Sequence, residues 1–124
     1  MKKIFIFFCF NLIFLSPALA DWKKFGDFDN GSYYVETKSI TRQSGYLYFW
    51  KMIDYSKQMP DLDFRSVKVY IQGDCKIKRI KTLSYEFYTG RRGTGKVEQQ
   101  ESVNKNWKYP PPGRVDHALL KKLC

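Results

Sequence analysis

Hydrophobic and polar residues alternate along much of the chain after residue 20, which is the pattern of β-strands that bury one face. The clearest case is the run in which Val67, Val69 and Ile71 alternate with more polar neighbours. Between residues 46 and 55 both alternating sets are hydrophobic. We therefore predict that 46–55 is a central strand, covered on both faces.

Turn-forming residues separate these stretches. Asn30-Gly31 precedes one strand-like run, Ser44-Gly45 precedes 46–55, and residues 90–95 contain three glycines. Residues 76–88 are interpreted as a strand that begins with basic residues, and 96–102 as a polar last strand. The pattern predicts about six antiparallel strands, with Trp22 to Phe28 at an edge.

The periodicity changes after Pro110-Pro111-Pro112-Gly113. Lys121 and Lys122 suit the negative C-terminal end of a helix, and five apolar residues recur at helical spacing. These are Val115, Ala118, Leu119, Leu120 and Leu123. The predicted fold class is therefore α+β: an antiparallel sheet of about six strands followed by a C-terminal helix.

The first 20 residues have the organisation of a secretory signal peptide. Lys2 and Lys3 precede a largely apolar run, 4–15, and Ala18-Leu19-Ala20 supplies the small residues that signal peptidase requires. A membrane anchor is the alternative, but a spanning helix needs about 20 apolar residues. We predict cleavage between Ala20 and Asp21, which divides the chain into a signal peptide, 1–20, and one domain, 21–124.

The cysteines predict one disulfide. Cys9 lies inside the apolar run without the small residues that precede a lipid-modified cysteine, so no lipid anchor is expected. Cleavage leaves Cys75 and Cys124, and an even pair in an oxidising compartment is typical of a disulfide. A metal or redox site is the alternative, but these two cysteines and one histidine make no recognised motif. We expect an exported protein, periplasmic, secreted or at the cell surface.

Positive charge is the most informative functional feature. Without Lys2 and Lys3 the formal net charge falls from +10 to +8, with 20 basic and 12 acidic residues. If the basic strand and the following turn are adjacent, they form one surface for an anionic ligand. That candidate surface consists of Lys76, Lys78, Arg79, Lys81, Arg91, Arg92 and Lys96. The alternative is a solvated strand whose lysines prevent edge-to-edge aggregation.

No catalytic residue or cofactor is predicted. Residues 90–96 resemble the phosphate-binding loop G-x-x-x-x-G-K, but Val97 stands where that loop needs Ser or Thr. His117 is the single histidine of the sequence, and no serine lies in a G-x-S-x-G nucleophile elbow. The sequence therefore favours a non-enzymatic protein, with His117 solvated or capping the helix.

Metal binding is not predicted either. Two pairs of aspartates are each separated by one residue, namely Asp27 with Asp29 and Asp61 with Asp63. Calcium-binding loops also have acidic residues at alternate positions. A calcium site needs six to eight oxygen ligands in a defined run, and these pairs supply too few. We interpret both pairs as solvated.

Several short segments are spaced along nearly the whole mature chain in a pattern of common residue types. They are Trp22, Tyr34-Val35-Glu36, Ser39-Ile40, Asp54-Tyr55, Cys75 with Lys76-Ile77-Lys78-Arg79, Trp107 and Cys124. This arrangement resembles the bacterial surface-adhesin E family. The resemblance implies a six-stranded antiparallel sheet flanked by a C-terminal helix, which agrees with the pattern of the residues.

The resemblance also implies a function. Members after which the family is named are surface proteins that adhere to matrix and serum glycoproteins. The leading hypothesis is a non-enzymatic extracytoplasmic binding protein that contacts extracellular glycoproteins through its basic residues. The alternative is a periplasmic structural or accessory protein that binds an anionic envelope polymer. Nucleic acid is not the expected partner, because export separates the protein from it.

Overall fold

The computed structural model describes residues 20–57 and 63–124. The predicted signal peptide up to residue 19 and the predicted solvated Asp61 lie outside these residues. Within them, seven antiparallel strands form one sheet in the order β1-β2-β4-β5-β6-β7, and β3 pairs with the start of β4. The bounds are β1 Trp22–Phe28, β2 Gly31–Glu36, β3 Thr41–Gln43, β4 Tyr46–Tyr55, β5 Ser66–Asp74, β6 Arg79–Tyr88 and β7 Val97–Glu101.

One α-helix, α1, spans Val115–Leu123 and follows the sheet. The α+β class, the antiparallel sheet, the edge position of 22–28 and the C-terminal helix are confirmed. The sheet has one strand more than the six expected, and its shortest strand, β3, has three exposed residues. It is too short to show a clear alternation.

The hydrophobic core lies between the sheet and α1. Leu119 and Leu120 of α1 are almost fully buried against Leu47, Phe49 and Ile71 of β4 and β5. We call this side of the sheet the helix face. Alternation places the core residues of β4 on the helix face because successive side chains of a strand point to opposite sides.

The other side, the open face, carries Tyr48, Trp50 and Tyr70. β4 is a central strand, as predicted, with β2 on one side and β5 on the other. The prediction that both of its faces are covered holds for one part of the strand: Met52 and Asp54 are buried on the open face, whereas Tyr48 and Trp50 are half-buried there, and the α-helix of the described residues packs on the helix face. The three aromatic side chains of the open face are half-buried because they shield one another.

The predicted disulfide is confirmed. Cys75 follows β5, Cys124 follows α1, and their sulfur atoms are bonded at 2.07 Å. Arg42 on β3 also holds the end of the helix, since its Nη2 donates to the carbonyl oxygen of Leu123 at 2.9 Å. The C-terminal end of α1 is therefore tied to the sheet covalently and by a hydrogen bond.

The prediction that a basic strand starts at Lys76 is also wrong. Residues 75–78 form a turn and β6 begins at Arg79. The carboxylate of Asp74 explains the turn, because it accepts hydrogen bonds from the backbone amides of Lys76 at 3.0 Å and Ile77 at 3.4 Å. Lys78 completes it with a φ of 54°. A side chain that bonds to nearby backbone amides, as Asp74 does here, favours a turn over a strand. The alternation of polar and apolar residues does not reveal this.

An ion pair under the helix leads to a first prediction. The Nζ of Lys51 on β4 lies 2.7 Å from Oδ1 of Asp116 on α1, and the Lys51 side chain is 10% exposed. Asp116→Ala is expected to lower the free energy of unfolding by about 2 kcal/mol, because it leaves a buried ammonium without its partner. Lys51→Met is expected to cost less, since methionine suits an apolar site and Asp116 is better hydrated. Urea denaturation of both variants checks this, and equal losses would contradict it.

Candidate functional site

The open face has an aromatic strip across its centre. Trp50 on β4 stacks on Tyr70 of β5, with ring centroids 4.9 Å apart, and Tyr48 lies 6.3 Å from the same tyrosine ring. We use the name aromatic strip for these three residues. Gln72 and Ser84 lie beside the strip and are half-buried. The strip therefore offers flat apolar ring faces next to hydrogen-bonding groups.

Beyond one end of the strip lies a cluster around Trp107. Residues 107 and 108 run beside the start of β6, where Ile80 and Lys108 exchange two backbone hydrogen bonds of 2.9 and 2.8 Å. The Trp107 ring packs 5.6 Å from that of Tyr46. The guanidinium of Arg79 and the ammonium of Lys81 lie 4.1 and 4.6 Å from the Trp107 ring centre. Both cations thus sit on an aromatic ring at the open face.

Arg79 has a fixed orientation in this cluster. Its Nε donates to Oδ2 of Asp74 at 2.9 Å. Burial opposes ionisation of the Asp74 carboxyl, but its hydrogen bonds to Arg79 and to the turn amides outweigh burial and hold the pKa of Asp74 below its ordinary value. The carboxylate therefore stays charged at neutral pH and positions the guanidinium.

Beyond the other end of the strip lies a second cluster, centred on Lys68. Its ammonium is 5.1 Å from the ring centre of Trp22 and 4.9 Å from that of Tyr88. The guanidinium carbon of Arg92 lies 5.8 Å from the ring centre of Tyr34. Cation–π contacts of this kind orient the charge while leaving its hydrogen-bond donors available.

The hydroxyl of Tyr88 is protonated at neutral pH. Burial and a 2.8 Å hydrogen bond to Oε1 of Glu86 raise the pKa of Tyr88 to about 12. The amide of Gln99 donates to the other carboxylate oxygen of Glu86 at 3.2 Å. Both oxygens of Glu86 are therefore engaged by neighbours on β6 and β7.

Residues 90–95, which we call the glycine loop, fold against the open face. The buried carboxylate of Asp54 accepts from the backbone amide of Arg92 at 2.9 Å and from Nη2 of Arg91 at 3.1 Å. The buried Oγ of Ser66 accepts from the amide of Gly93 at 2.8 Å and donates to the carbonyl of Gly90 at 2.7 Å. The predicted turn is thus anchored by two polar side chains of the sheet.

The sequence-predicted basic residues divide into two groups. Lys76, Lys78, Arg79 and Lys81 lie at or before the start of β6, whereas Arg91, Arg92 and Lys96 follow its end. β6 has ten residues and is therefore about 30 Å long. The two groups lie toward its opposite ends, and the aromatic strip lies between them on the open face.

Sequence reasoning missed Lys68 and Trp107 as site residues. Lys68 has the polar position in an alternating strand, which indicates a solvated side chain, and Trp107 lies in an irregular segment before the prolines. The one available signal was the surplus of aromatic residues on the polar side of β4 and β5. It could not show which cations lie over which rings.

The remaining candidates do not join this surface. His117 is half-buried on α1, and Asp63 is exposed at the start of the second described segment. Hydrogen bonds from the Ser32 hydroxyl and the Lys24 ammonium hold the pKa of Asp27 below its ordinary value. Among residues 20–57 and 63–124, no three potential metal ligands cluster.

These features describe a class: a small disulfide-linked α+β domain whose sheet leaves one aromatic and cationic face uncovered. The family model described as surface-adhesin protein E matches residues 22–124, and the chain belongs to this family. Membership identifies it as an adhesin-type protein and associates it with the cell surface or exterior. No helix in the described ranges is long and apolar enough to cross a membrane.

Solved structures show the same fold. The structure of Haemophilus influenzae protein E is 19% identical, with 89% of this chain and 90% of that chain covered and a TM-score of 0.64. A crystal structure of protein E from non-typeable Haemophilus influenzae is 18% identical, covers 85% of this chain and 77% of that one, and has a TM-score of 0.62. A search of curated proteins gives no match. At this identity the structures establish the fold alone.

Proposed function

We propose that this chain is exported, cleaved after Ala20, and acts as a non-enzymatic adhesin that binds extracellular glycoproteins through the open face. The observation that carries the proposal is an uncovered sheet face on which an aromatic strip lies between two clusters of cations. Sheets normally bury a face this rich in aromatic residues. Here Trp50, Tyr70 and Tyr48 have no covering layer in the described residues.

The chemistry of the face supports binding rather than catalysis. Tryptophan, tyrosine and arginine are the residues that most often dominate binding energy at interfaces, and the two aromatic ones bury large areas at little entropic cost. The cations of the two clusters add attraction for acidic groups at the ends of the strip. Family membership points to a partner outside the cell. The alternative partner, an anionic envelope polymer, would use the same face.

A second prediction tests this face. Trp50→Ala is expected to weaken binding of residues 21–124 to an immobilised matrix or serum glycoprotein by about tenfold or more, the loss typical of a central aromatic contact. Phe28→Ala is the matched control, because Phe28 is 40% exposed and packs on Tyr33 of the helix face. Surface plasmon resonance across a salt series measures both affinities.

The outcomes separate the two partners. Saturable binding that persists at high salt and depends on Trp50 supports the adhesin. Binding that disappears with salt, and that a control protein of equal net charge shares, would reject a specific glycoprotein surface. In that case protection of the protein from protease on intact cells would favour the periplasmic accessory role.

A further inference from the structure

We infer that Lys68 and Arg92 form a subsite for the acidic group of an anionic sugar chain, a sulfate or a carboxylate, at the end of the aromatic strip. The inference rests on the proposed function, since it takes the open face to be the binding surface. It adds a ligand class and two specificity residues. Arg92 is one of the basic residues that the sequence predicts for an anionic ligand, whereas Lys68 is not.

Both cations lack an acidic partner in the described part of the chain. Neither Lys68 nor Arg92 forms a salt bridge there, whereas Arg79 and Arg91 are paired with Asp74 and Asp54. Glu86 faces Lys68 from the adjacent strand without forming a salt bridge with it, and its two carboxylate oxygens accept hydrogen bonds from Tyr88 and Gln99. The half-buried ammonium of Lys68 lies against two aromatic rings and is not paired with a carboxylate. Its hydrogen-bond donors are therefore available to an external anion.

The glycine loop places Arg92 on the same face of the sheet as Lys68. Arg92 has a φ of 52°, an unfavourable left-handed conformation for a residue with a side chain. Asp54 and Ser66 hold the loop in this conformation through buried hydrogen bonds. These two buried polar groups therefore hold residues 92 and 93 over the sheet. Such preorganisation reduces the entropic cost of binding a ligand.

Gly93 lets the Lys68 side chain reach the loop. A Cβ atom at position 93 would lie 2.8 Å from Cε and 3.3 Å from Nζ of Lys68, and the φ of Gly93 is +70°. The ammonium is therefore in contact with the loop that carries Arg92. Tyr34, under the Arg92 guanidinium, is joined to Lys68 through Met52 across adjacent strands. An anion between the two cations can bind both.

The neighbouring rings indicate a sugar chain as the carrier of the anion. Lys68 and Tyr70 are two positions apart on β5 and share the open face, so about 7 Å separates them. One ligand can therefore stack a flat ring on Trp50 and Tyr70 while its acidic group contacts Lys68. Gln72 and Ser84 lie beside these rings and can hydrogen-bond to sugar hydroxyls. Extracellular glycoproteins carry such acidic sugars.

The test is binding of a sulfated heparin oligosaccharide to residues 21–124, measured by isothermal titration calorimetry at low and physiological salt. Lys68→Gln and Arg92→Gln are each expected to weaken binding about tenfold or more, as loss of a charge-assisted hydrogen bond does. Lys96→Gln is the matched control. It removes the same charge next to the glycine loop, but Lys96 lies beside Phe87 and Phe64 toward the helix face, so less than a twofold change is expected.

The double variant distinguishes a shared subsite from general attraction. If Lys68 and Arg92 contact the same acidic group, the two losses are less than additive in Lys68→Gln/Arg92→Gln. Equal losses in all three single variants, or strictly additive losses, would overturn the subsite. Unchanged melting temperatures of the variants show that the fold is retained.

Two further ligands identify the source of the anion. Heparin with its sulfates removed keeps the carboxylates, so retained dependence on Lys68 assigns a carboxylate and lost dependence assigns a sulfate. A single-stranded oligonucleotide that binds more tightly, with the same dependence on Lys68 and Arg92, would overturn the assignment to sugars. If Trp50→Ala abolishes glycoprotein binding while Lys68→Gln does not, the subsite fails and the adhesin stands. If the oligosaccharide binds and no glycoprotein does, the adhesin fails and the subsite stands.

Discussion

Replacing Cys75 or Cys124 with serine is expected to lower the free energy of unfolding of the mature domain by about 4 kcal/mol. The two cysteines are 49 residues apart, and the chain-entropy model gives about this value for closing such a loop. Small domains have a total stability of roughly 5 to 15 kcal/mol. The loss would therefore remove a large part of the folding free energy.

Urea unfolding followed by tryptophan fluorescence measures this effect, with and without reductant. Reduction should lower the midpoint of the unmodified domain and leave the midpoint of Cys75→Ser unchanged, which is the internal control. A melting temperature of the unmodified domain that does not change on reduction would contradict the stabilising role. Hydrogen exchange should show α1 opening before the sheet in the variant, since the crosslink holds the C-terminal end of α1.

Leu120→Ala is expected to lower the free energy of unfolding by about 3 to 5 kcal/mol. Leu120 on α1 has no exposed surface and lies in the core with Phe49 and Ile71. Truncating a fully buried leucine removes apolar contacts and leaves a cavity that the surroundings fill incompletely. Urea denaturation measures the loss. Leu123→Ala, at a half-buried position of the same helix, should cost clearly less.

Gly73 provides a stricter test of the same packing. A Cβ atom at this position would lie 2.8 Å from Cδ2 of Leu120, so Gly73→Ala alone is expected to destabilise the domain by about 1 to 3 kcal/mol through overpacking. In the Leu120→Ala background the added methyl enters the space that leucine vacates, and the cost should fall toward zero. A double-mutant cycle measures the difference. Additive effects would show that α1 does not pack on Gly73.

These stability variants also separate the two faces of the sheet. Leu120, Gly73 and the disulfide act on the helix face, whereas Trp50 and Lys68 lie on the open face. Leu120→Ala should therefore retain ligand affinity at temperatures at which it remains folded. Trp50→Ala should lose affinity with little change in stability, because its side chain is half-buried.

Several features of this protein depend only on local order along the chain and could be predicted from it. Alternation predicted the strands, helical spacing predicted α1, and an even pair of cysteines predicted the Cys75–Cys124 disulfide. The spacing of these segments also indicated the adhesin E family. Alternation and helical spacing are visible within a short stretch of sequence. The disulfide follows from the number of cysteines, and the family from the spacing of its segments.

Which surface is accessible, and which charged side chains lie on it, depends on contacts between residues that are far apart in the sequence. The pattern of 46–55 predicted two covered faces, but on the open face only Met52 and Asp54 are buried, and Tyr48 and Trp50 are shielded in part by neighbouring aromatic side chains. The predicted basic residues lie toward the two ends of β6, at positions that depend on where this strand begins and ends. Lys68 lies beside the loop that carries Arg92 because the anchors Asp54 and Ser66 hold that loop against the sheet. Such contacts depend on register and loop geometry, which no local periodicity encodes.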